Sequence, residues 1–289
     1  MNTLPISVAI NAGADESSSS VVATGSIQHI ITSPEVAAFG IEDGPLKSAI
    51  AAAHGGQAPN DAYLCSPTPW DDLYSSYGWP QVQTLMTVQS ATVQEVTSSP
   101  TIINSQVFHN TSEKPGTFNC GVSQEVSVTA ESSWSDTTTI EVGQSISYGI
   151  SFLGSGAEGE TSLSFSQASE QGGSESETVT LGTNAGVEVP LDPGESVTAE
   201  LSASKGTLTV EIVYQLTLSG WAAMNYSDEY QGHHFWGMDI NAVMAAGNIP
   251  TTVTISETLE VGFYANSTIT LANPDGTNST HSCVEEKFA

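Results

Sequence analysis

Between residues 140 and 152 the chain repeats every two residues, and that rhythm constrains the local fold to strand. Ile140, Val142, Ile146, Tyr148, Ile150 and Phe152 hold even positions, while Glu141, Gly143, Ser145, Ser147, Gly149 and Ser151 fill the odd ones. A strand sends alternate side chains to opposite faces, so this spelling makes one apolar face and one hydrated face. The surrounding stretch, 137–189, is rich in Ser, Thr, Gly and Gln. Such composition also suits a low-complexity linker, but a linker has no reason to keep a two-residue period. After Gly154, Gly156 and Gly159, alternation resumes at Leu163 and Phe165 against Ser162, Ser164 and Ser166, and a Gly/Ser run then leads to Val179 and Leu181. Residues 137–185 therefore read as a long hairpin, wet on one side and apolar on the other.

The same period recurs elsewhere. Strands are expected over 6–10, 21–31, 81–96, 102–108, 122–134, 196–202, 207–218, 250–261 and 263–271, with Lys205-Gly206 as a tight turn. Several exceed the usual five or six residues, which favours an elongated sheet over a compact sandwich. The best helix runs from Pro45 through 46–53, with proline at its first turn and Gly55 past its end. A helical turn near 240–246 is the other candidate. The class expected is all-β.

Charge removes whole classes of partner. Thirty-two acids face 4 bases, all lysines (Lys47, Lys114, Lys205, Lys287), for a formal net of −28. Neutralising phosphates takes clustered cations, so nucleic acid is excluded as a partner, and an anionic membrane would repel the chain. A membrane would have to be reached through a protein or glycan receptor. Cys65, Cys120 and Cys283 lie too far apart in sequence for a zinc knuckle; one disulfide and one free thiol is the simplest count in an oxidising compartment. Sequons at Asn110, Asn225, Asn266 and Asn278 are candidates for glycosylation and fit a secreted protein. The N-terminus lacks the positive n-region of a signal peptide.

An enzyme would need a site. No G-x-S-x-G, H-E-x-x-H, G-x-x-x-x-G-K or helix-opening G-x-G-x-x-G occurs, so a non-enzymatic protein without cofactor or metal is expected. His233 and His234, near Asp228, Glu229 and Asp239, point to opposite faces of a strand and read as structural. Trp70, Asp71, Asp72, Tyr74, Tyr77 and Trp79 have the ring-and-carboxylate make-up of a sugar-binding surface, and equally that of an aromatic core.

The hairpin suggests a mechanism. In a bilayer every backbone group must be paired, so β segments cross only as closed barrels, with about 9–11 residues per strand. Residues 140–152 have that length and parity. One chain supplies two strands, so a pore needs a ring of copies. Ile140, Val142, Ile146, Tyr148, Ile150, Phe152, Leu163 and Phe165 would face lipid; Glu141, Ser145, Ser147 and Ser151 would face the lumen. On the descending arm Gln167, Ser169 and Gln171 fall on the lipid face, and Glu158 and Glu160 would have to cross.

Several of these features together resemble the aerolysin-like β-pore-forming family. They are a strand over 102–110 ending in Asn, a strand opening at Ser132-Ser133-Trp134-Ser135, the hairpin 137–185, and the turn V-x-V-P-x-x-P-G at Val187 to Gly194. The resemblance covers roughly 82–220, with 250–271 as returning strands. Trp79-Pro80-Gln81-Val82 and Gly232-His233-His234-Phe235 further resemble the branch of spherulin-type glycoproteins and follicular-epithelium yolk proteins. The resemblance implies an elongated β protein with a small head (1–81, with 221–249 packed against it), a pore-forming module over 82–220, and a tail at 272–289. It also implies a hairpin that refolds after oligomerisation, carried here by 140–152 and 161–179. Storage or matrix use of the same scaffold, and a glycan-binding module, stand as alternatives.

Overall fold

The computed structural model describes residues 5–135, 146–152, 161–167 and 173–282. Its strands are β1 (Ser7–Ala12), β2 (Ser20–Thr24), β3 (Ser26–Ile30), β4 (Asp61–Tyr63), β5 (Gln83–His109), β6 (Gly116–Trp134), β7 (Ile146–Phe152), β8 (Thr161–Gln167), β9 (Gly173–Leu191), β10 (Ser196–Ser219), β11 (Trp221–Tyr230), β12 (His233–Asp239), β13 (Thr252–Ala272) and β14 (Asn278–Ser282). Short helices α1 (Ser33–Ala38), α2 (Asp43–Ala53), α3 (Pro69–Tyr77) and α4 (Ile240–Ala246) join them. The chain is all-β, built mainly of long antiparallel strands.

The spine is β10, 24 residues long, with β5 on one side and β13 on the other along nearly its full length. The wider sheet runs β3-β5-β10-β13-β6-β9, and β14 adds to the far end of β13. A second sheet, β2-β1-β7-β8, lies over the head-side half; a small third, β12-β11-β4, belongs to the head. The head is closed by α2 packed on α4 and by β11 paired with β4.

Alternation built these strands, but they run through positions where punctuation suggested breaks. Residues 81–96 and 102–108 are parts of one strand, β5, 27 residues long. Pro100 is tolerated because beyond Thr87 no described strand pairs with β5 opposite β10, so a missing N–H need not face a partner. The turn expected at Lys205-Gly206 is a second departure: β10 passes straight through it. Gly206 is there because a neighbour needs the room, since a Cβ would come within 2.3 Å of the Thr97 carbonyl oxygen and 2.6 Å of the Phe263 ring. Phe263, its partner across the ladder, covers the space a side chain would fill. Similarly, 250–261 and 263–271 fuse into β13. By contrast, 21–31 divides at Gly25 into β2 and β3, which join different sheets. The tail contributes β14, and 283–289 falls outside the described residues.

Gly206 also marks a waist between two cores. Toward the far end β10 buries its odd residues, Val197, Ala199, Leu201 and Ala203, in a cluster with Cys120, Val122, Leu181, Ile269 and Leu271. Toward the head it buries its even residues, Leu208, Val210, Ile212, Tyr214, Leu216 and Leu218. The parity changes because the β10–β13 register shifts between Ser202 and Ser204, where two residues of β10 span three of β13. A one-residue slip turns the other set of side chains inward.

Candidate functional site

The hairpin rhythm is realised in β7 and β8, which pair from Ile146↔Gln167 to Phe152↔Thr161. Ile146, Tyr148 and Ile150 are buried, Ser147 is exposed, and Gly149 and Ser151 lie between. The apolar face thus packs into the head-side core together with Val8, Ile10 and Ala12 of β1 and the inner residues of β10 and β13. Each fully buried isoleucine is worth about 1.5–3 kcal/mol against exposure, so the hairpin is held to the core by its apolar side. Its other neighbour is β1, paired in parallel from Ser7↔Ser147 to Ala12↔Phe152.

Leu163 and Phe165 take their register on β8 opposite Ile150 and Tyr148. Ile140, Glu141, Val142 and Ser145 lie outside the described residues, as do Glu158 and Glu160. The span 137–185 corrects to a shorter hairpin: from Gly173 onward the chain is β9, which pairs with β6 along its length, so Val179 and Leu181 belong to the body. Of the arm 161–179, the described residues divide between β8, paired with β7, and β9, paired with β6.

Beneath Tyr148 lies a group the sequence reading passed over. Glu257 of β13 is fully buried. Its Oε1 accepts from the Tyr148 hydroxyl at 2.5 Å and from Ser132 Oγ of β6 at 2.6 Å; its Oε2 accepts from the Tyr214 hydroxyl of β10 at 2.8 Å. Burial raises its pKa, opposed by these three hydrogen bonds. The signal was available: Glu257 is an acid at an inward position between Ile255 and Leu259.

The aromatic cluster forms a surface of the head. The first turn of α3 is left-handed, with φ of 62° at Trp70 and 58° at Asp71 and Asp72, a conformation uncommon for side-chain-bearing residues. It leaves Trp70 46% and Tyr77 52% exposed. Trp70 lies 5.1 Å from the Phe235 ring, and Tyr77 stacks on Trp79 at 4.6 Å. Gly237 admits Trp79, since a Cβ there would sit 2.7 Å from the indole. Asp71 is exposed.

The other two candidates are occupied with structure. Asp72 accepts from Ser75 Oγ at 2.7 Å, from Ser66 Oγ at 2.9 Å and from the Thr68 amide at 3.3 Å, which hold its carboxyl below the usual range. Tyr74 is buried, its hydroxyl 2.8 Å from the Tyr63 carbonyl, and burial pushes its pKa up. Phe235, beside Trp70, and the 37% exposed Trp221, which flanks Gly237 together with Trp79, adjoin the cluster and were missed, because they are distant in sequence.

Among the sequons, Asn110 and Asn225 are buried. Asn110 Nδ2 donates to the Lys114 and Leu191 carbonyls, and Asn225 Nδ2 donates to Asp61. Asn266 and Asn278 are exposed. Cys65 and Cys120 are free thiols, and Cys283 is outside the described residues.

No protein-family model matches the chain. U-megalopygitoxin(8)-Mo12 of Megalopyge opercularis is 37% identical over 255 residues, covering 88% of this chain and 86% of its own. U-megalopygitoxin(8)-Mc8 of Megalopyge crispata is 38% identical over 246 residues, covering 84% and 83%. These relatives replace the spherulin and yolk-protein branch, an assignment that rested on two short aromatic and histidine motifs. Among solved structures, the parasporin-2 toxin of Bacillus thuringiensis, which recognizes cancer cells, superimposes with a TM-score of 0.58 and 17% identity, covering 89% of this chain and 99% of that one. That likeness is one of fold.

Proposed function

The chain belongs to the U-megalopygitoxin(8) family, and from that premise we propose that it is a secreted, non-enzymatic pore-forming toxin whose β7–β8 hairpin inserts into a target membrane. The observation that carries the reading is the state of the hairpin. Its apolar face, Ile146, Tyr148 and Ile150, is sheltered in the core while Ser147 meets water. A segment so divided exchanges one apolar environment for another when it moves to lipid, and keeps its wet face for a lumen. Each protomer offers one hairpin, so a closed barrel requires a ring of copies.

The head supports the first contact. The exposed Trp70 and Tyr77, with Trp79 and Phe235 packed beside them and Asp71 at the edge, offer ring surface and a carboxylate that no described residue hydrogen-bonds, a combination that suits stacking against a glycan or receptor. The net charge of −28 favours a receptor over direct attraction to anionic lipid. Glycosylation, where it occurs, falls on Asn266 and Asn278.

A cross-link tests insertion. In a background without the native cysteines, Ser7→Cys with Ser147→Cys joins β7 to β1 at paired, exposed positions. Dye release from susceptible cells or receptor-bearing vesicles should vanish in the oxidised protein and return on reduction. Undiminished release from the locked form rejects the hairpin as the inserting element.

A further inference from the structure

We propose that the Glu257 carboxylate is a clasp for the stored hairpin, drawn tight when protonated and eased when ionised. The geometry is specific. Four strands meet at one carboxylate: β13 supplies it, and β6, β7 and β10 each supply a hydroxyl donor, from Ser132, Tyr148 and Tyr214. Of the three donors, Tyr148 alone stands on the segment read as mobile, so hairpin departure strips one bond from Glu257 and opens its site to water. The clasp rests on that pore-forming reading.

Among the described residues, the titratable groups facing Glu257 are Tyr148 from β7 and Tyr214 from β10; β6 contributes Ser132, and Trp134 of β6 packs its ring 5.5 Å from Tyr214. No described lysine or histidine comes within ion-pair distance of it. A buried carboxylate without a cation is held by hydroxyls against a desolvation penalty; protonation removes that penalty, and the new carboxyl O–H then donates to one of the facing hydroxyls, which turns from donor to acceptor. Burial accordingly raises the Glu257 pKa in the closed state. Once the hairpin leaves, water restores the ordinary value. The closed state therefore binds the proton more tightly than the open one. Acid favours closure, and the advantage fades as pH rises from the ordinary carboxylate pKa through the raised one.

Amide exchange on the soluble protein, without membranes, reads this directly. Protection factors, which remove the intrinsic pH dependence of exchange, should be higher for β7 amides at pH 5 than at pH 7.5. The change should reach at most about tenfold per pH unit within the window between the two pKa values. In Glu257→Gln, an uncharged mimic of the protonated acid, the slope should flatten, with protection at pH 7.5 raised toward the acidic wild-type level. A flat wild-type profile, or an unchanged slope in Glu257→Gln, overturns the clasp. Should Glu257→Gln fail to fold, Tyr148→Phe serves: β7 amides should lose protection while β10 amides keep theirs, and equal loss in both rejects the idea. Dye release on the same samples separates the two claims. Absent release with an intact pH slope in β7 would sink pore formation and leave the clasp standing.

Discussion

Glu35 shows how much of this protein is decided by single buried polar groups. It is fully buried at the start of α1, where its Oε2 accepts from the Thr32 amide at 2.9 Å and from Thr84 Oγ1 at 2.8 Å, and His29 Nε2 lies 2.8 Å from Oε1. Burial alone would raise its pKa, but the His29, Thr32 and Thr84 bonds outweigh it and the net shift is downward. A depressed carboxylate stabilises the fold above its ordinary pKa, and that stability is lost as pH falls through the folded value. Thr84→Val should therefore lower stability by about 1.5–3 kcal/mol at pH 7, with a smaller difference under acid, both read from denaturant midpoints. Gly237→Ala should act on the head, because its methyl meets the Trp79 ring at 2.7 Å; near-ultraviolet circular dichroism should change, and binding to target cells should weaken. At this scale the sequence was only partly readable. Trp70 and Tyr77 could be named as surface candidates, while Glu257 needed its inward parity taken as seriously as that of Ile255 and Leu259.

Elements were read better than their limits. The two-residue period identified β6, β7, β10 and β13 because each buries one face, and β5 because it half-buries alternate residues against the same cores. It failed at Gly206, Gly262 and Pro100, where turn-forming residues stand inside long strands. At Gly206 the reason is long-range: the space is taken by Phe263, which local sequence does not announce. Gly206→Val should accordingly destabilise by about 1–3 kcal/mol or more through overpacking, as measured by thermal unfolding. The β9 strand was misassigned to the hairpin for a related reason. Val179 and Leu181 alternate like hairpin residues, but their partners are Val126 and Gln124 on β6.

At the scale of the molecule, 32 acids against 4 bases set how copies meet one another. Like-charged protomers repel through water, and a Debye length of roughly 10 Å at 0.1 M salt shortens that reach. Raising ionic strength from 10 to 150 mM should speed permeabilisation if assembly is rate-limiting, and a rate indifferent to salt would exclude charge repulsion as the brake. If Glu141 lines the lumen of a pore, planar-bilayer currents should favour cations, and anion selectivity would remove it from that role. All-β class and length were plain in the sequence, whereas the relation of head to hairpin was not, because it depends on pairings such as that of β1 with β7. That pairing fixes a compass direction. Ala14, just past β1, accepts a hydrogen bond from Ser98, which lies opposite Gly206 at the waist, so β7 runs away from the head toward Phe152. A protein held by Trp70 and Tyr77 would therefore carry the Phe152 end of β7 on the side remote from its anchor.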